Sequence, residues 1–361
     1  TTQIQGLTGT QLRSLTTTDF SDLTTTQIGS LTATQLSALS ATNVSALDAT
    51  TVGALTTTQV KGLTGDQLRG LTTTDVGELS STQVGALSST QLGALTSTAL
   101  SALSATQVGV LSTTQLKGLT TTQAGGLTTT DIGELSSTQV GSLATTQLAA
   151  LTATAVSALD ATQVGSLSAT QVKALTTTQL GGLSTTDIGE LSSTQVGALS
   201  STQLNGLSTT NVGALSTTQL TGLSSTQLGS LSNTTLSTLD ATQVGSLSTT
   251  QVAGLNGTQL RSLSTTDFGE LTTTQLTSLS STQLGSLSAT NVSALDATTV
   301  GALSTTQLKG LTAEQARGLT TTDIGELSST QIGSLATTQL AALTATAVSY
   351  THLTLPTNRE V

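Results

Sequence analysis

Cysteine, methionine and tryptophan are absent from the 361 residues, and the chain holds 1 histidine, 1 proline, 1 tyrosine and 2 phenylalanines. Without cysteine there are no disulfides, no thiolate nucleophile and no cysteine-based metal site. The one histidine, His352, lies beyond the repetitive part of the chain, so no Ser-His-Asp arrangement can be assembled within it. Charge is also scarce: 8% of residues are charged, with a net charge of −10. An acidic, aromatic-poor surface is a poor electrostatic partner for nucleic acid or an anionic membrane. No run approaches 18 consecutive apolar residues, which excludes a membrane-spanning helix on pattern. Methionine is missing even at the start, and the chain opens mid-repeat at Thr1, so it reads as an internal piece of a longer protein.

What is present is an eight-residue repeat. Leucine occupies every eighth position from Leu7 to Leu343, 43 times without a miss. With leucine as position 1, the octad is represented by Leu79-Ser80-Ser81-Thr82-Gln83-Val84-Gly85-Ala86. Position 2 is nearly always Ser or Thr, replaced by Asp48, Asp160, Asp240, Asp296 and Asn256, and broken only by Ala144 and Ala336. These side chains carry the short oxygen that caps a helix start. Position 5 is mostly Gln, which completes an S/T-x-x-Q capping box. Position 1 then precedes the cap and position 6 is the fourth helical residue, the two apolar places of a hydrophobic staple. Gly, Ala and Ser at positions 7 and 8 favour a stop, with glycine expected in the left-handed conformation.

Cap, box, staple and stop share one register, so each octad is expected to form a short capped helix. One long helix is excluded, because at about 100° per residue a period of eight makes the leucines spiral around the axis. An unbroken strand would send positions 1 and 6 to opposite faces. Two buried aliphatics per octad release less free energy than ordering eight residues costs, so a lone octad cannot fold. The expected fold is an all-α solenoid of short capped helical turns over residues 1–348; a β-solenoid with a corner in each octad is the alternative, and disorder the third.

A longer period lies above the octad. An aspartate at position 5 with an acid three residues on recurs at Asp19/Asp22, Asp75/Glu78, Asp131/Glu134, Asp187/Glu190, Asp267/Glu270 and Asp323/Glu326. Successive pairs are seven octads apart, except for one interval that holds three octads more. If seven octads make one superhelical turn, these pairs stack in a column. The basic residues of the repeat, such as Lys61 and Arg69, all occupy position 7, which must therefore be solvated. The register fails at the end. Residues 349–361, with Tyr350, His352 and Pro356, resemble translated sequencing-adapter read-through of the kind found at the ends of metagenomic contigs, and are set aside as a non-native or disordered tail.

Chemistry is sparse. No phosphate-binding loop or dinucleotide fingerprint occurs, the serines are explained as caps, and no enzyme or cofactor is expected. Carboxylates at i and i+3 share a helix face, which makes Asp75, Glu78, Asp131, Glu134, Asp187 and Glu190 the calcium candidates, although two carboxylates per octad fall short of six to eight oxygens. The competing reading is a capping aspartate plus a solubilising acid. Threonines at positions 2 and 4, such as Thr24 and Thr26, resemble the ice-binding motif of β-solenoid antifreeze proteins, which requires flat strands.

The octad also resembles the Leu-Thr-x-x-Gln-Val-x-Ala-Leu arrays of large adhesin-like bacterial surface and secreted proteins. That resemblance spans residues 1–348 and implies an extracellular stalk or a weak multivalent surface. Other surface proteins, glycans or abiotic surfaces are the expected partners, while charge and hydropathy argue for no nucleic acid and no insertion into membranes. Leu311-Thr312-Ala313-Glu314-Gln315 is similar to the opening of a TAL-effector repeat. Only the helix-start logic carries over, since the longer repeat period and base-reading loop of that family are missing.

Overall fold

The computed structural model describes residues 2–343. The tail 349–361, with Tyr350, His352 and Pro356, lies outside the described residues. Within them the chain forms 43 helices of four to six residues, from Thr2–Gln5 to Thr337–Ala342, and no strand. The fold is the all-α solenoid of short helices that the octad predicts.

Each helix starts as the capping-box pattern dictates. Ser80 holds extended backbone at φ −65° and ψ 156°. Its hydroxyl oxygen accepts from the Gln83 amide N–H at 3.3 Å, and Gln83 Oε1 accepts from the Ser80 N–H at 2.6 Å. Two orphan donors of the first turn are thereby satisfied. Ala144 and Ala336 have no side-chain cap, but Gln147 and Gln339 still accept from their N–H groups. The core is one leucine and one position-6 residue per octad. Leu79 and Val84 are sealed from solvent, as are nearly all their equivalents, including Phe20 and Phe268.

Glycine does not end the helices in the expected way. No described glycine has positive φ. The next leucine takes extended backbone, as at Leu87 (φ −62°, ψ 140°), and that alone breaks the helix. The glycines permit close approach between turns. A Cβ on Gly222 would lie 2.1 Å from the Ser193 carbonyl oxygen, and one on Gly118 would lie 2.6 Å from Ser89 Cβ.

Packing divides the chain into two compact units, Thr1–Glu190 and Leu191–Val361. In the first, Ala41–Ser45 packs on Gly65–Gly70 and Ser137–Gly141 on Ala161–Ser166; in the second, Ala297–Ala302 packs on Thr321–Glu326. Within each unit helices thus rest on their third neighbours, and side-chain bonds between turns recur at separations of 25, 28 and 31 residues. The middle separation is three and a half octads per turn. The seven-octad period therefore spans two turns, which overturns the conditional reading of seven octads as a single turn. The half-octad offset seats the start of each helix over the junction between two helices one turn earlier.

Candidate functional site: the glutamine ladder and the acidic column

The position-5 glutamine is the residue that turns a row of small helices into a stack. Gln83 Nε2 donates to the Val52 carbonyl at 2.9 Å and to the Leu55 carbonyl at 2.7 Å. Those oxygens belong to the last turn of Ala49–Ala54 and to the leucine that follows it. Gln115 repeats this on Val84 and Leu87 at 3.0 and 2.9 Å, and Gln259 on Leu228 and Leu231 at 2.8 and 2.9 Å. One amide therefore accepts at its own helix start and donates to a helix end one turn away. Only an amide carries both functions on one side chain of this length. Gln259 is 0% exposed, so its bonds are made in a low-dielectric interior where leaving them unmade is expensive.

Sequence reasoning assigns glutamine to the box and misses the ladder. The signal was present: a capping box accepts Glu as readily as Gln, yet no octad carries Glu at position 5. Asparagine keeps half the function. Asn43 Nδ2 reaches the Leu15 carbonyl at 3.0 Å, but the shorter side chain does not close the box.

Aspartate keeps the other half. Asp75 accepts from the Thr72 N–H at 2.7 Å but has no N–H for the turn below. A serine stands thirty residues before every position-5 aspartate that has such a predecessor: Ser45, Ser101, Ser157, Ser237 and Ser293. Ser45 donates to Asp75 and Ser157 to Asp187, each at 3.4 Å. The other three hydroxyls bond main-chain carbonyls, at Gly126, Thr234 and Thr290.

The six calcium candidates do not share one environment. Asp75, Asp131 and Asp187 are buried, each in a capping box, while Glu78, Glu134 and Glu190 are half-buried at the helix ends. Oε2 of Glu134 and of Glu190 is sealed from solvent without a hydrogen-bond partner. Among the described residues no group of three or more His, Asp or Glu is arranged to hold a metal. Desolvation pushes the Glu190 carboxyl above its usual range, and the charges of Asp187 and Asp160 add to the push. The opposite holds for Asp19, lowered by the Thr16 hydroxyl and then by its N–H, and for Asp48, lowered by the Thr51 N–H and then by its hydroxyl.

Glu190 senses Asp160 because the acids share one side of the solenoid. In the first unit, the step from Asp19 to Asp48 is one residue longer than a turn, and the step from Asp48 to Asp75 is one residue shorter. Asp131, Asp160 and Asp187 repeat the same long and short steps. In the second unit, Asp240, Asp267, Asp296 and Asp323 follow as short, long and short. A long and a short step together make two turns. Position-5 aspartates on alternate turns thus alternate with position-2 aspartates on the turns between, and Ser104 fills the one gap. Of the 19 acids only Asp66, Glu314 and Glu360 fall outside this register.

A cavity of 20 Å³, lined by leucines such as Leu103, Leu116 and Leu127 and by Asp131, is space for about one water molecule. No helix among the described residues is long and apolar enough to cross a membrane.

No curated protein matches this chain. The model of the ALTTAQ repeat matches residues 63–97, 170–201 and 177–209, stretches built of the same Leu-Ser/Thr-x-Thr-Gln octads. The chain is similar to that repeat family over this part of its length.

Proposed function

We propose that the octad array is a structural and adhesive repeat region of a bacterial cell-surface or secreted protein, a stalk or a weak multivalent surface without catalysis. The observation that carries this reading is the ladder. Each glutamine ties its helix only to the turn before, so adding octads extends the unit without altering what is already built. Length is then a free variable set by repeat number, which suits a spacer, and identical exposed faces recurring along it suit avidity. The hydroxyl-rich surface, left after most of the glutamines are buried in the ladder, fits an aqueous exterior and uncharged partners such as glycans. Small-angle scattering on chains with one or two seven-octad units removed tests the spacer. The longest dimension should fall in proportion to the residues removed, and a globular dependence on length overturns the reading.

Calcium binding is the second reading, favoured by the unpartnered carboxylate oxygens of Glu134 and Glu190. It expects a melting temperature that rises in calcium and falls in chelator; identical curves dismiss it. Ice binding has less support, because the position-2 hydroxyls, as at Thr24, are engaged in capping boxes and the flat strands it needs are replaced by helices. Absence of thermal hysteresis would remove it.

A further inference from the structure

By register the lysines fall half a turn from the acids. Lys61 lies midway between Asp48 and Asp75 to within one residue, and those two acids are one turn apart. Lys117 stands midway between Ser104 and Asp131, Lys173 between Asp160 and Asp187, and Lys309 between Asp296 and Asp323, each by the same spacing. All four are exposed at position 7 of their octads. Half the register is half a turn, so within each unit the lysines stand half a turn from the acidic column by register. The four arginines of the repeat obey a different rule. Arg13, Arg69, Arg261 and Arg317 each precede a position-5 aspartate by six residues, about a quarter turn. The cations are sorted by type around the axis.

We propose that the acidic column of one copy docks against the lysine side of a second copy of this chain, giving side-by-side association. The two faces are complementary in sign, and they match in repeat. Lys61, Lys117 and Lys173 recur every seven octads, as do the half-buried Glu78, Glu134 and Glu190, while the aspartates of those pairs stay buried in their capping boxes. Copies laid side by side bring the lysines opposite these glutamates, one match for every two turns. The contact is heterologous, because it uses different faces of the two copies, so it leaves free faces and adds further copies without closing. Individually these surface pairs are weak; repeated in register they act together. The net charge of −10 opposes approach at long range, so association should need enough salt to screen the whole molecule while sparing contact pairs. This inference rests on the charge geometry alone and stands or falls separately from the spacer reading.

Sedimentation velocity of the full chain tests it. In roughly 0.1 M salt, where the screening length is about 10 Å, the chain should form species larger than the monomer; in about 1 M salt, where it is about 3 Å, association should weaken by at least about tenfold. Replacing the four lysines together (Lys61→Gln, Lys117→Gln, Lys173→Gln, Lys309→Gln) should leave the helical circular dichroism intact and abolish the larger species. Replacing the four arginines with glutamine should leave them in place. A further arm mixes two chains that each carry one reversed face. The lysine-reversed chain (Lys61→Glu, Lys117→Glu, Lys173→Glu, Lys309→Glu) should not self-associate. It should bind a chain with Glu78→Lys, Glu270→Lys and Glu326→Lys. A wild-type chain that stays monomeric in the lower salt overturns the proposal, as does association indifferent to the lysines.

Discussion

Gln83 and Asp75 sit eight residues apart at the same octad position, and each closes a capping box at its own helix start. Beneath Gln83 two main-chain carbonyls one turn earlier receive N–H donors. Beneath Asp75 the only bond to the turn below runs the other way, from the Ser45 hydroxyl to the carboxylate. The two octads show that position 5 performs two separable tasks. Helix starting needs an acceptor, and stacking needs a donor; aspartate octads keep the first and lose the second, and at Asp75 and Asp187 a serine of the turn below supplies a bond in its place. Negative charge at position 5 thus replaces a ladder rung, whereas the position-2 aspartates of the column do not: Gln163, in the octad of Asp160, keeps its bonds to Ile132 and Leu135.

The sharpest way to break that comparison is Gln83→Glu, which retains the acceptor and loses the donor while placing a charge against carbonyl oxygens. Stability of the unit should drop by about 3–5 kcal/mol at neutral pH, the range for an uncompensated buried charge. Chemical denaturation followed by circular dichroism measures it. The introduced carboxyl has a folded pKa raised above its unfolded value, so the loss should shrink as pH falls through that raised value and the neutral acid regains a donor. A loss that does not change with pH would mean that the ladder contributes by shape and not by hydrogen bonding. Asp75→Gln makes the reverse change. It should restore donors to Val44 and Leu47, which stand to position 75 as Val52 and Leu55 stand to Gln83, and stabilise the unit by about 1 kcal/mol. Destabilisation instead would show that Ser45 and Asp75 have co-adapted beyond simple replacement.

How far the sequence reaches can be judged at particular residues. The cap at Ser80, the box at Gln83 and the burial of Leu79 and Val84 are local in sequence, so eight residues suffice to read them. The Gln83 donor bonds, the space around Gly222 and the column through Asp160 and Glu190 all join residues of different turns. They depend on the turn length, and no single octad encodes it. The seven-octad period did carry that information in disguise, as twice the turn. Of the candidate calcium residues, their shared column was legible as a hypothesis, whereas the burial of the aspartates in capping boxes was not.

Glycine separates those two kinds of information by substitution. Gly222→Ala sets a methyl against the Ser193 carbonyl and should cost about 1–3 kcal/mol. Gly333→Ala meets nothing within 4 Å, has no positive φ to disturb, and should stabilise by about 0.5–1 kcal/mol. Equal effects at both sites would deny that inter-turn approach selects glycine. Ala144→Ser tests a purely local feature. Ala144 offers no side-chain cap, so a hydroxyl there should add about 1 kcal/mol, read as a higher denaturation midpoint.

The smallest effect comes from the acidic column itself. Glu190 has its carboxyl pKa raised by desolvation and by the charges of Asp187 and Asp160, so the folded chain holds its proton more tightly than the unfolded chain does. Where the folded state binds more protons, stability rises as pH falls. Acidification from pH 7 through the raised Glu190 value should therefore add a little stability, before the lowered carboxyls of Asp19 and Asp48 take stability away at still lower pH. Glu190→Gln removes the first contribution and leaves the second. The variant should melt slightly higher than wild type at pH 7, by about 0.5 kcal/mol or less at a partly solvated site. The two melting curves should converge as pH approaches the raised value. Parallel curves across that range would mean that the charges of neighbouring turns do not communicate, and that the column is a matter of sequence register without electrostatic consequence.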